Sequence, residues 1–326
     1  MKLSNFLLGK QLRRFQRLFQ WIRRDSLIMP SVPSIRWTGS TLQPLELTLK
    51  QQELLNQHPL KHWQSVLLEA TRYIDFQNKT ILEIGGSNLP REFVFGILGA
   101  KKWVCVNLLD DNTSGGSITP ETIYPLNHPK TKQIIRAHDF VLFKGSVTEI
   151  GKELHNEFDA CISVCAFEHI FGLQDAVDCV FSSLRSGGIL FTQFGPIWSG
   201  PVEHHFWVDA QHNFNTYMEC HLPPFVHLLY SASEINELLV PYYTTKEDIL
   251  IKDQIVEQCS GDRRRVCNGL FYEDYLNIMK DSQFSNISVT PYWQDDVDKQ
   301  TFDKLRRLYP DYSAFSVNGI QIVAQK

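Results

Sequence analysis

The stretch Lys79-Thr-Ile-Leu-Glu-Ile-Gly-Gly-Ser-Asn-Leu-Pro90 constrains this chain more than any other. A short apolar run ends in a carboxylate, Glu83, and breaks at once into a turn of small residues. A buried parallel strand delivers a ligand to the edge of its sheet in this way, because glycine lets the backbone turn sharply and approach the ligand closely. The turn does not spell a dinucleotide fingerprint: Gly85 is followed at +2 by Ser87 and at +5 by Pro90, where G-x-G-x-x-G needs glycines. No Gly-Lys-Ser/Thr follows, so a P-loop is excluded as well. What remains is a ligand without phosphates that carries a ribose and an amino-acid moiety. S-adenosylmethionine (SAM) fits that description.

Composition sets few further limits. At 326 residues the chain can bury a sizeable core and carry additions to one domain. A net charge of −4 gives no general reason to bind nucleic acid, and none is expected as a partner. There is no apolar run long enough to span a bilayer, and no signal-peptide pattern at the N-terminus. The seven cysteines include no C-x-x-C pair, so they read as reduced, mostly buried thiols of a cytoplasmic protein, with no metal site expected.

Residues 1–45 read as a separate unit. Lys2, Lys10, Arg13, Arg14, Arg17, Arg23 and Arg24 face only Asp25, and Leu8, Leu12, Phe15, Leu18, Phe19 and Ile22 recur between them at helical spacing. This spells a basic amphipathic helix. It suits either peripheral contact with an anionic membrane through residues 1–28, at the inner face, or docking on the domain itself. Pro30, Pro33 and Pro44 then mark an extended linker. Residues 46–200 alternate helix and strand, with strands expected at 80–84, 103–107, 140–144, 158–164 and 188–194. A long loop is expected over 110–130, and a helix over 174–184 capped by Gly187-Gly188. Residues 201–285 break the rhythm and read as a helical insertion over the site. Residues 286–326 close the chain with two strands around a short helix. Alternating strands and helices predict a parallel sheet covered on both faces.

Four segments in order, Leu82-Glu-Ile-Gly-Gly-Ser, Phe158-Asp-Ala-Cys-Ile-Ser, Phe167-Glu-His-Ile and Leu184-Arg-Ser-Gly-Gly-Ile-Leu, resemble the class I SAM-dependent methyltransferases. The resemblance is good over residues 75–200 and moderate over 286–326. It implies an α/β, Rossmann-like sheet of seven strands whose last strand, 315–324, runs antiparallel. It further implies that SAM is held by Glu83, Gly85, Gly86, Ser87 and Asn88 after the first strand and by Asn107 and Leu108 after the second. Ser146 and Val147 after the third, and Val164 and Cys165 after the fourth, complete that set. Two of these positions depart from the family's habit. Asn107 stands where a carboxylate usually meets the ribose diol, with Asp110 or Asp111 as substitutes, and Ser146 stands where an acidic residue usually reads the adenine amino group.

Methyl transfer asks the protein chiefly to align an acceptor and exclude water, with a general base when the acceptor is a neutral hydroxyl. Glu168 and His169, just past the fourth strand, are candidates for that role or for contact with the cofactor loop. The Phe167–Gly172 segment also resembles cyclopropane-fatty-acid synthases, whose other motifs are not evident here. His204 and His205, in the Gly195–Trp207 loop, are the leading candidate bases, since imidazole titrates near neutrality. Trp198, Phe206 and Trp207 could wall the acceptor pocket. A metal reading would add Asp209 and His212. Arg263-Arg-Arg265 could grip an anionic acceptor or simply lie in solvent. The expectation is a SAM-dependent methyltransferase that O-methylates a small molecule or a sugar of a surface glycan or lipid. The alternatives are a non-catalytic scaffold of the same fold and an N- or C-methyltransferase of a small metabolite.

Overall fold

The computed structural model describes residues 26–56, 61–86, 92–107, 133–137, 139–148, 154–201, 206–207, 213–214, 220–260 and 267–326. Its centre is an eight-stranded sheet. In chain order the sheet strands are β2 (Thr80–Ile84), β3 (Lys102–Asn107), β4 (Gln133–Ala137), β5 (Phe140–Lys144), β6 (Phe158–Val164), β7 (Leu184–Phe194), β10 (Ser285–Gln294) and β12 (Val317–Gln325). They lie side by side in the order β10-β12-β7-β6-β2-β3-β5-β4. The run from β7 to β5 is parallel, and β12 is antiparallel to both β7 and β10. This is the Rossmann-like sheet expected, with its last strand reversed. One strand was not expected: β4 pairs antiparallel with β5 and forms the far edge.

The parallel strands read as nearly unbroken apolar runs because both of their faces are covered. On one face Leu82, Ile84, Val104, Val106, Cys161 and Leu190 meet helices α3 (Leu173–Ser183) and α7 (Tyr272–Asp281). On the other, Ile81, Trp103, Cys105, Ile162 and Phe191 meet α2 (Lys61–Ala70) and the turn Glu92–Ile97. Ahead of β2 the chain forms two helices: α1 covers Leu49–Asn56, and α2 ends at Ala70. Gly187-Gly188 do not cap a helix. Helix α3 ends at Ser183 and β7 begins at Leu184, so the glycines fall in a bulge where Phe158 faces Leu184 but Ala160 faces Ile189. Gly187, at φ 78°, supplies the left-handed turn that this bulge needs.

Between β7 and β10 the chain forms the short pair β8 (Phe206–Trp207) and β9 (Asn213–Phe214), then helices α4 (Val226–Leu229), α5 (Ala232–Leu239), α6 (Lys246–Ser260) and α7. Ile235, Leu239, Ile251, Ile255 and Cys259 give this insertion a small core of its own. Trp198, Phe225, Leu228, Phe271 and Phe315 join it to the end of the sheet, together with Leu305 of α8 (Lys299–Leu308).

Residues 26–38 run along the outside of β10. Strand β1 (Leu27–Ile28) pairs with β11 (Val297–Asp298) beyond the carboxyl end of β10, and Ile35 bridges Val289 halfway down. Thr38 bonds the Asn286 side chain at the amino end. The segment therefore crosses the whole sheet edge, and residue 26 stands at the carboxyl side. No helix among the described residues is long and apolar enough to cross a membrane. The amphipathic stretch 1–25 lies outside the described residues.

Candidate functional site

In a parallel sheet the loops beyond the carboxyl ends of the strands carry ligands. Here the carboxyl ends of β2, β3, β5, β6 and β7 line that edge. Glu83, one residue from the end of β2, is buried and accepts a 2.6 Å hydrogen bond from the indole Nε1 of Trp103. Trp103 faces Ile81 across the strand pair, and Glu83 faces Cys105, so indole and carboxylate meet diagonally on one face of the sheet. A Cβ built on Gly86 would lie 1.6 Å from Glu83 Oε1. The turn thus folds back over the carboxylate, and only glycine permits it.

The second strand holds the same turn from beside it. Cys105 Sγ donates to the Gly86 carbonyl at 2.7 Å, and Asn107 Nδ2 donates to Gly86 at 3.0 Å and to Gly85 at 3.3 Å. Gly85 sits at φ 77°, and its own amide bonds the Val106 carbonyl. A Cβ there would come within 2.3 Å of the Ala166 Cβ. The glycine turn is therefore wedged between β3 and the turn that follows β6.

After β5, the Ser146 hydroxyl pairs with Thr148 Oγ1 at 2.8 Å and accepts from the Thr148 amide, while Val147 is buried in the core. After β6, Val164 is buried and Cys165 takes a left-handed φ of 51°, its amide bonded to the Gln193 carbonyl. Burial, and secondarily the charge of Glu168, push the Cys165 thiol well above its usual range, so it is not a thiolate nucleophile.

The turn Phe167–His169 carries Glu168, a carboxyl only 1% exposed. Its Oε1 accepts from the Gly195 amide at the end of β7, at 3.3 Å. Burial pushes this carboxyl up to about 8, against the opposing pull of hydrogen bonds from its own amide and from Gly195. His169 Nε2 stands 3.9 Å from Oε1. Asn268 clamps the turn from the insertion side: its amide binds the Glu168 carbonyl, and its side chain binds the carbonyls of Phe167 at 2.8 Å and Ile170 at 3.3 Å. The Tyr275 hydroxyl in turn donates to Asn268 Oδ1.

Of the residues singled out in the sequence, Glu83, Gly85, Gly86, Asn107, Ser146, Val147, Val164, Cys165, Glu168 and His169 come together along this one edge. Ser87, Asn88, Leu108, His204 and His205 lie outside the described residues, as do Asp110, Asp111, Asp209, His212 and Arg263–Arg265. Trp198 is 2% exposed and packs in the core beneath α4 rather than lining an open pocket. Sequence reasoning missed two residues that build the edge. Trp103 was readable only as a buried strand residue, and Asn268 left no local signal at all.

No family model matches the chain, and no curated protein sequence matches it. Solved structures of similar fold include a SAM-dependent methyltransferase from Mesorhizobium loti, at 11% identity and a TM-score of 0.43, covering 83% of this chain and 100% of that one. A SAM-dependent methyltransferase from Listeria monocytogenes matches at 13% identity and a TM-score of 0.42, covering 81% of this chain and 97% of that one. A phosphoethanolamine N-methyltransferase of Haemonchus contortus, in complex with SAM, matches at 14% identity and a TM-score of 0.42, covering 81% of this chain and 52% of that one. With identities this low, reaction chemistry has to come from the edge itself.

Proposed function

We propose that this chain is a SAM-dependent methyltransferase. The observation that carries it is the glycine turn after β2, buttressed below by Glu83 and Trp103 and beside by Cys105 and Asn107. Such a turn fits a ligand that approaches backbone closely and brings no phosphate to neutralise. Gly85, Gly86 and Asn107 would hold the amino-acid and ribose portions, with Ser87, Asn88 and Leu108 extending the set. Ser146, Val147, Val164 and Cys165 would flank the base. Glu83 serves that turn from beneath, as its anchor. SAM, when bound, supplies a methyl group on a sulfonium that already carries a good leaving group. The chain's part is to orient the acceptor and shed water.

Calorimetry with SAM and S-adenosylhomocysteine tests this. Both should bind at micromolar levels, and Gly85→Arg, which must displace Ala166, should abolish binding while circular dichroism stays unchanged. No heat with either ligand on wild-type protein would leave a scaffold of the same fold as the better reading.

The acceptor is proposed to be a hydroxyl compound, a small molecule or a sugar of a glycan or lipid. Seven basic residues against a single acidic one in 1–25 favour one presented at an anionic membrane. Deleting residues 1–25, which spares β1, should reduce co-sedimentation with phosphatidylserine vesicles. Equal sedimentation by both forms would reject membrane contact.

A further inference from the structure

Glu168 is the one site-edge carboxyl whose surroundings ask for an explanation beyond packing. Oε1 takes the Gly195 amide, but Oε2 is buried and has no hydrogen-bond partner among the described residues. A buried polar atom left unpaired costs about 1–3 kcal/mol, so it is retained for a reason or filled by a ligand group. Asn268 fixes the backbone around Glu168, and the Gly195 amide fixes its other carboxyl oxygen. Ala166, two residues before it, touches the glycine turn proposed to hold the donor.

We infer that Glu168 is the proton-accepting residue of the site, holding a proton at Oε2 until the cationic donor arrives and taking the acceptor's hydroxyl proton during transfer. The inference rests on the methyltransferase reading and deepens it. It names the acceptor class as a neutral hydroxyl, whose oxygen is a weak nucleophile until a base takes its proton, whereas an uncharged amine attacks without one. Charge and atoms balance. The acceptor oxygen bonds the methyl carbon, the carbon–sulfur bond breaks with its electron pair left on sulfur, and the hydroxyl proton moves to Oε2. Cation and carboxylate are both consumed, giving a neutral thioether, a methyl ether and a neutral carboxyl.

The groups facing Glu168 agree with a neutral resting carboxyl. They are Cys165 and His169 on its own turn, Tyr275 beside the Asn268 clamp, and Tyr292 on β10. Both tyrosines and Cys165 are held protonated by burial, so at neutral pH none of them brings a charge. With its proton retained to about 8, Glu168 is mostly neutral at pH 7. A positive charge within about 4–6 Å lowers a carboxyl by about 1–3 units, enough to expel that proton.

The test needs no acceptor. SAM and S-adenosylhomocysteine share nucleoside and amino acid and differ in the sulfonium charge. Calorimetry at pH 7 in two buffers of different ionisation enthalpy counts the protons exchanged on binding. SAM should release about half a proton or more beyond S-adenosylhomocysteine, as a shift of about 1–3 units implies. Glu168→Gln should bind both ligands and lose the difference. Should that variant fail to fold, the carboxylic-acid infrared band of the wild-type protein serves instead: SAM should weaken it and S-adenosylhomocysteine should not. Equal proton counts for the two ligands, an unchanged infrared band, or a difference that persists in Glu168→Gln would each overturn the inference while leaving donor binding intact. Absence of binding by both ligands would instead remove the methyltransferase reading and this inference together.

Discussion

Two side chains decide the character of the edge, and each makes a stability prediction. Glu83 is buried, and its carboxyl accepts from the Trp103 indole. Trp103→Phe keeps the ring in place against Phe76 but removes this donor. A hydrogen bond contributes about 0.5–1.5 kcal/mol net, so urea unfolding should show a loss of that order. Glu168 behaves in the opposite sense. Its native carboxyl keeps its proton to about 8, whereas in the unfolded chain it ionises near the ordinary 4.5. Between those two values the native state binds more protons, so stability falls as pH rises, by at most about 1.4 kcal/mol per unit, and levels off above 8. Glu168→Gln should flatten this dependence, and its advantage over wild type should widen from pH 5 to pH 8 in urea titrations. Parallel curves for the two proteins would mean that the carboxyl is charged in the fold.

At the scale of elements, the clamp between insertion and sheet is the most exposed to test. Asn268 bonds the carbonyls of Phe167 and Ile170 and is itself held by Tyr275. Asn268→Ala should cost about 2–3 kcal/mol, through two lost side-chain bonds and a buried Tyr275 hydroxyl left without its acceptor. Hydrogen exchange should quicken over 166–170 and not over β2 or β3. The sequence carried β2, β3, β5, β6 and β7 plainly, because strands buried on both faces must be apolar without interruption. The Glu83–Gly86 turn was legible for the same reason in reverse, since glycines beside a carboxylate interrupt such a run. What was not legible depends on contacts distant in sequence. Trp103 meets Glu83 only once the parallel register is fixed. Asn268 reaches a turn a hundred residues earlier, with |i−j| of 101 to Phe167. The edge strand β4 follows a long stretch with no strand pattern, and Gly187-Gly188 read equally well as a helix cap or a bulge. The two-residue strands β1 and β11 are too short to leave any period. Burial of Glu168 could not be read at all, for a Phe-Glu-His tripeptide looks the same on a surface.

At the scale of the whole molecule, the sheet has two edges, and the chain treats them differently. An open edge strand offers unpaired amides and carbonyls to any other strand. At one end the added β4 completes the sheet; at the other, residues 26–38 lie over β10, tied at β11, at Val289 and at Asn286. The three ties are few, yet Trp37 stacks edge-on against Tyr73 at 5.7 Å and Tyr73 against Phe191 at 5.8 Å, which fastens the strap to the core as well as to the edge. A strap of this kind should protect the fold independently of what residues 1–25 do. Two truncations separate the functions. Removal of residues 1–25 leaves these three ties in place, so melting temperature and the apparent mass in light scattering should stay as in the full chain. Removal of residues 1–40 strips Ile35, Trp37 and Thr38 from β10 and uncovers Val289, which is fully buried in the intact protein. That form should melt several degrees lower and associate through the bared strand, with an elution volume that moves earlier as concentration rises. If it stayed monomeric with unchanged melting, the edge of β10 would be guarded by its own bulges, which shift register at Pro291, Trp293 and Gln294, and not by the strap.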